Sequence, residues 1–369
     1  MNKSSTEAQE NIKSVIQRIA TGPELSKNIS REEAKRSMSD ILNGQIDPVQ
    51  SAIFLIALRM KRETMDENLG VHDAIIESTT TVGTSCESLI NIADPYDGFS
   101  RNLPSSIFIL PVIAELGLPI VSHGVFSVGP KYGCTHHFTL NELGYNSNND
   151  HQEIVERLEN KDIGWAYADQ SMFNSKLHNL MSLRKQIIKR PVITTVEVLV
   201  KPVSSKNDMF FTGFVHKPYP PIYLELSRNA QFNSATVIRG TEGGIIPSLR
   251  QTGNVHFYHS ACEQDDYYDV TPEDLGIVQS SRAVDIPEEI TRKNTKDKIE
   301  SKVDAVDIAK ETIKSGISAL SGNDGPMLSC IQLGAAIVLQ RATGDDLDNC
   351  SKEVLRVLKS GAALKRMKR

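Results

Sequence analysis

The hydrophobic pattern changes character near Thr80, and that change limits the fold more than any other feature of the chain. From Ile12 to Ile75 apolar residues recur at helical spacing, whereas beyond Thr80 short apolar runs of strand length alternate with helical stretches. Such a chain builds a helical unit first and an α/β unit after it.

The first unit carries its own helix boundaries. In "SREEAKRSMSDILNG", Ser30 with Glu33 three residues on is a capping-box pattern, and Gly44 is a stop. In "DPVQSAIFLIALRMKRE", Asp47 is an N-cap, Pro48 takes the first helical position, and basic residues suit the negative end of the helix dipole. "TMDENLGVHDAIIEST" reads as a further helix. Three or four short helices with brief connections make a small helical domain.

In the second unit "SLINIADPYDG" is an apolar run ending in a turn, and "SSIFILPVIAELGLPIVSHG" is a helix followed by a buried strand. Strand-like runs recur at "VITTVEVLVKP", "MFFTGFVH" and "SATVIRGTEGG". Helical stretches "NDHQEIVERLEN" and "PPIYLELSRNAQF" fit crossovers on a largely parallel sheet. The expected class is therefore α/β: a small all-helical domain over residues 1–80, joined by helices from about 150–190, and a large α/β domain over 81–369. Ser280 to Lys302 reads as an exposed connection, and two helices close the chain.

Composition adds limits. With 369 residues the chain has room for about two domains, and 39% hydrophobic and 24% charged residues are ordinary for a soluble globular protein. A net charge of -5 gives no global pull toward nucleic acid or membrane, so any anion site has to be local. The first twenty residues lack a long apolar core and no run reaches a membrane span, which makes the cytoplasm the expected compartment. Five scattered cysteines without a CxxC pair are expected to be reduced thiols rather than a disulfide framework or a zinc site.

The chemistry concentrates at the expected strand ends. "SHGVFSVGPKYGCTHH" places Gly124 and Gly129 where backbone amides can approach an anion, and sets Lys131 between glycines. His136 and His137 are expected to begin the following helix and to bind no metal, because adjacent histidines point in different directions. "GFVHKPYPPIY" puts His216 and Lys217 at a strand end, and Arg239 and Arg250 flank the Gly-Gly turn of "RGTEGGIIPSLRQ". Arg101, Arg184, Lys189 and Arg190 add further cations, and a fold that brings these segments to one cleft at the strand ends would give a basic pocket in an acidic protein.

The order of these motifs resembles the anthranilate phosphoribosyltransferases and related nucleoside phosphorylases, glycosyltransferases with a helical domain on an α/β domain. The stretch from Ser30 to Ile75 is similar to their N-terminal helices. "LGLPIVSHGVFSVGPKYG" resembles their strand and ligand loop, with His123, Gly124, Ser127, Lys131 and Gly133 in register. "FNSKLHNLMSLRKQIIKRPVITTVEVLVKP" is similar to their acceptor segment, with His178, Arg184, Arg190 and Pro202 matching in spacing.

The resemblance implies a phosphoribosyl diphosphate ligand on Asp97, Gly98, Arg101, Asn102, Ser106, His123, Gly124, Ser127, Lys131, Arg239 and Glu242, and an acceptor on His178 and Arg184. It also implies a homodimer; no catalytic acid or base is assigned. Three departures follow. "DPYDGFSRNLPSS" stands in place of the family's Gly-Thr-Gly-Gly-Asp loop, Ser122 to Phe126 replaces Lys-His-Gly-Asn-Arg, and Glu242 stands alone where the family has an acidic pair for magnesium. Magnesium is then expected only weakly, through ligand phosphates, and anthranilate is not the expected acceptor. A divergent branch of the family that includes a nucleic-acid-binding paralogue supplies the alternative expectation. There the same cations meet phosphates while Tyr96, Phe99, Tyr132 or Tyr219 stack on bases.

Overall fold

The computed structural model describes residues 3–22 and 24–369. Four helices open it: α1 (Lys3–Ile19), α2 (Arg31–Leu42), α3 (Pro48–Lys61) and α4 (Met65–Ser78). Ser30 and Thr64 form full capping boxes with Glu33 and Glu67, and the Asp47 carboxylate accepts from the Val49 amide ahead of α3. The short helices Ser175–His178 and Ile193–Val196 pack on α4, and Met181–Ile187 packs on α3.

Nine strands follow: β1 (Val82–Gly83), β2 (Ser88–Ala93), β3 (Ile120–Gly124), β4 (Trp165–Asp169), β5 (Val203–Ser204), β6 (Asn207–Phe214), β7 (Ser234–Arg239), β8 (Gly253–Tyr258) and β9 (Asp266–Val270). β1 and β5 make a two-stranded parallel ribbon. The other seven lie in the order β4-β3-β2-β6-β7-β8-β9, parallel from β4 to β7 and antiparallel at β8 and β9. The five parallel strands therefore deliver their C-terminal ends to one edge, where ligands bind in open α/β sheets.

Strand alternation divides the sheet's side chains between two cores. Ile90, Ile92, Ile120 and Phe211 pack against the C-terminal helices, including the almost fully buried Pro326–Thr343. Leu89, Val121, Phe210 and Val237 share a second core with Phe54, Leu58 and Ile75 of the helical unit.

A polar latch joins the same two units. Asn229, at the end of helix Tyr219–Asn229, accepts from Arg31 at 2.6 Å and places its amide 2.8 Å from Asp73 and 3.2 Å from His72 Nδ1. His72 Nε2 lies 2.7 Å from the Leu199 carbonyl, so the neutral ring is satisfied at both nitrogens.

The structure corrects three expectations. "VITTVEVLVKP" is not a strand: it winds into helix Ile193–Val196 and reaches a sheet only at β5. β2 already has β3 and β6 as neighbours, and the run's branched side chains are buried in the helical core instead. A third long helix, Ala305–Leu320, precedes the closing helices. The segment Ser280 to Lys302 is exposed over much of its length, yet Ala283, Val284 and Ile286 are buried. It braces the site loops through bonds from the Leu103 amide to the Val284 carbonyl and from the Ser301 amide to the Lys131 carbonyl.

Candidate functional site

At the end of β2 the chain turns through Asp94 to Ser106 and meets the loop that follows β3. The Phe99 and Cys134 backbones exchange two hydrogen bonds of 2.8 Å, and the Gly133 amide bonds the Asp97 carbonyl at 2.9 Å. Gly98 has φ +74, and a Cβ there would stand 2.6 Å from the Gly133 backbone. The loops cross so closely that only glycine fits, so Gly98 serves this crossing.

Beyond the crossing, the amides of Ser100, Arg101 and Asn102 converge on one carboxylate. Glu242, from the turn after β7, takes these amides at 3.1, 2.8 and 3.0 Å and the Ser100 hydroxyl at 3.2 Å. Its side chain is 5% exposed, and Lys131 Nζ stands 3.8 Å away. Consecutive amides turned toward one point form an anion nest, and each bond to a charged acceptor contributes roughly 1.5–3 kcal/mol. Glu242 holds the left-handed backbone value φ +53 while it reaches this position.

Lys131 is a buried cation rather than an exposed one. It is 7% exposed and pairs with Asp97 at 3.2 Å, while Arg190 takes the other Asp97 oxygen at 2.5 Å. Arg184 is likewise engaged: Glu197 grips its two terminal nitrogens at 2.6 Å each, and both residues are buried. The Arg184 Nε has no hydrogen-bond partner among the described residues, so part of the guanidinium's donor set is still unused. His178 ends helix Ser175–His178, half-buried.

Deeper in, a hydrogen-bonded chain ties three elements together. His136 begins the helix His136–Glu142, with Nδ1 2.7 Å from the Ser122 hydroxyl and Nε2 3.1 Å from Asp94. Ser106 also bonds Asp94, and its hydroxyl lies 2.9 Å from His136 Nε2. His137 turns the other way, to Asp169 at 2.7 Å. Both nitrogens of His136 are taken within the chain, so this resemblance to a Ser-His-Asp relay leaves no free nucleophile, and Ser122 is fully buried.

His123 is 1% exposed, and burial pushes its pKa down to about 3, so the ring is neutral and brings no charge to a phosphate. Tyr96, whose burial raises its pKa well above the usual range, keeps its proton and donates to His123 Nδ1 at 2.6 Å. The two rings line a recess of about 240 Å³ beneath Gly124. A second recess, of about 300 Å³, lies between the Phe99–Ser106 and Thr241–Pro247 loops. Ser127 is half-buried on the loop after β3, and Arg101 and Arg239 point out of the edge, exposed.

The structure thus brings Asp97, Gly98, Arg101, Asn102, Lys131 and Glu242 into one edge site, and puts Ser106, His123 and Gly124 in the layer beneath it. Sequence reasoning missed Asp94, Glu197 and the bonding roles of Tyr96 and His136; only sheet register joins positions so far apart in the chain.

The residues do not fit a protein-held magnesium as arranged. Asp97 is bound by two cations and Glu242 by three amides, and the described residues contain no cluster of three or more His, Cys, Asp or Glu placed to hold a metal. No described helix is long and apolar enough to cross a membrane.

Comparison with known proteins agrees with this architecture. Residues 13–79 match the helical bundle domain of the glycosyl transferase family. An uncharacterized protein of Aquifex aeolicus is 30% identical over 224 residues, covering 60% of this chain and 65% of that protein. The anthranilate phosphoribosyltransferase of Methanopyrus kandleri is 26% identical over 95% of this chain and 96% of its own length. Among solved structures, the Thermus thermophilus anthranilate phosphoribosyltransferase superposes with a TM-score of 0.74 at 18% identity, covering 97% of each chain. The Saccharomyces cerevisiae enzyme, in complex with PRPP and Mg, gives 0.73 at 16% identity over 97% of this chain and 96% of its own. Identities this low speak for the fold, and with the helical-bundle match and the full-length relatives they make this chain similar over nearly its whole length to the anthranilate phosphoribosyltransferases.

Proposed function

We propose that the chain is a phosphoribosyl or related pentosyl transferase whose acceptor is not anthranilate. The observation that carries this reading is the convergence of the Ser100, Arg101 and Asn102 amides on a single anionic group at the C-terminal edge of a parallel sheet. Such a nest, with Lys131 behind it and the exposed Arg101 and Arg239 in front, suits a diphosphate. The transfer passes through an oxocarbenium-like state that needs reactants held in line and the departing diphosphate stabilised, more than it needs an acid or a base.

Anthranilate is set aside because the family's glycine loop and acidic pair are replaced, and because Arg184 is held by Glu197. Magnesium belongs to this reading only as an ion carried in on diphosphate oxygens. Homodimerisation is supported by apolar side chains on α3, where Val49 is 66% and Met60 73% exposed. A cytoplasmic setting is supported by five free thiols.

Thermal unfolding with phosphoribosyl diphosphate, nucleotides and short oligonucleotides, each with and without magnesium, tests the reading. Ligand at a hundredfold over its Kd stabilises by about 2.7 kcal/mol. Stabilisation by phosphoribosyl diphosphate, with no loss of anthranilate fluorescence during incubation, is the expected result. Stabilisation by oligonucleotides alone, or anthranilate turnover at ordinary enzyme rates, would overturn it.

A further inference from the structure

We infer that Glu242 is an internal occupant of the anion nest, a side chain that an incoming phosphate has to displace, so that the site is closed in the ligand-free protein. This rests on the proposed phosphate-binding role of the same nest and concerns how that role is regulated.

The geometry points to displacement because the carboxylate already does what a phosphate oxygen would do. It takes all three amides of Ser100 to Asn102, the Ser100 hydroxyl and the field of Lys131. A phosphate cannot enter while those donors are used, since each amide carries one proton. Glu242 is also held by an uncommon backbone, φ +53, on the short turn Thr241–Gly243. Side chains rarely adopt that region without something to hold them there, and here the amides do.

The turn is built to let the tip move and the base stay. A Cβ at Gly240 would lie 1.6 Å, and one at Gly213 2.0 Å, from the Gly244 carbonyl oxygen, so the two ends of the turn close on each other and the far end is wedged against β6. The Ile245 amide is further tied to Asp94 at 3.1 Å. Between these fixed points Glu242 is followed by Gly243 at φ +90, and the swing of one side chain empties the nest. Arg101 and Arg239 are exposed beside it and have no ion-pair partner among the described residues, so they can draw a polyanion in while Glu242 still holds the amides. A site whose competent state is rarely populated binds with an affinity reduced by that fraction.

The test titrates inorganic pyrophosphate into wild type, Glu242→Gln and Glu242→Gly by calorimetry, with and without magnesium, and follows hydrogen exchange at Ser100 to Asn102. Glycine tolerates the positive φ, and glutamine retains a neutral acceptor, so each variant checks the folding of the other. In ligand-free wild type the three amides should be protected, and in Glu242→Gly they should exchange faster. Pyrophosphate should bind both variants tighter than wild type, Glu242→Gly by about tenfold or more. Equal or weaker binding by the variants, or a magnesium response that disappears with Glu242, overturns the inference and leaves the phosphate site itself standing. No pyrophosphate binding by any of the three overturns both.

Discussion

Arg184 and Glu197 meet end on: each terminal nitrogen of the guanidinium lies 2.6 Å from a carboxylate oxygen, and both residues are buried. A charge left behind by a deleted partner in such a place is costly, roughly 3–5 kcal/mol. Arg184→Ala should therefore lower stability in urea by about that amount, and the double variant Arg184→Ala, Glu197→Ala by less than the sum of the single ones. Additive losses would show that the pair is not coupled.

Lys131→Ala should also destabilise, by about 1–3 kcal/mol, since it leaves the buried Asp97 with Arg190 alone and takes a cation from beside Glu242. Lys131→Met, which keeps the stem, separates lost packing from lost charge. Chemical denaturation unchanged in both would contradict the buried pairing.

Gly98→Ala should cost more than a typical surface change, on the order of 2 kcal/mol or above, because it combines a left-handed φ of +74 with a Cβ 2.6 Å from the Gly133 backbone. Gly44→Ala, at φ +70 with open space around it, carries the conformational cost alone. A melting temperature for Gly98→Ala equal to that of Gly44→Ala would refute the close crossing.

Stability should fall as pH drops below about 6.5. Burial depresses His72 to about 4 and His123 to about 3 from an ordinary value of 6.5. The unfolded chain thus takes up protons that the folded one refuses. The loss begins near pH 6.5 and is complete only below the folded values, amounting to on the order of 3 kcal/mol for His72. His72→Gln should be less stable at neutral pH and have a flatter profile between pH 7 and 4. A wild-type melting temperature constant from pH 7 to 5 would exclude this.

What could be read from the sequence was what local physics decides. Ser30 with Glu33 and Asp47 with Pro48 mark helix starts because a cap and its partner lie within one turn, and the structure places them as read. The apolar runs of β2, β3, β6 and β7 are visible because their strands are buried on both faces. "VITTVEVLVKP" was misread because branched side chains fit a strand equally well, and only the occupied sheet positions beside β2 decide otherwise. β8 and β9 left less trace because half-buried residues in the first and exposed ones in the second interrupt the apolar pattern.

The site divides along the same line. Residues of the edge were legible as types: cations, glycines and a lone glutamate. Their pairings were not, because Lys131 with Asp97, Arg184 with Glu197 and Glu242 with the amides of Ser100 to Asn102 are set by how loops from different strands cross. A sequence displays a charge, but the neighbour that neutralises it comes from tertiary structure.

The latch at Asn229 bears on how such a molecule is handled mechanically. One side chain holds Arg31, His72 and Asp73 to the helix that covers β6 and β7, over a core that runs unbroken from α1 to the sheet. Severing the first eighty residues would expose half of a shared interior, so neither fragment should persist alone, and calorimetry of the intact chain should record a single heat-absorption peak. The seam between the two layers is a weld rather than a hinge, and entry to the edge site falls to the loops.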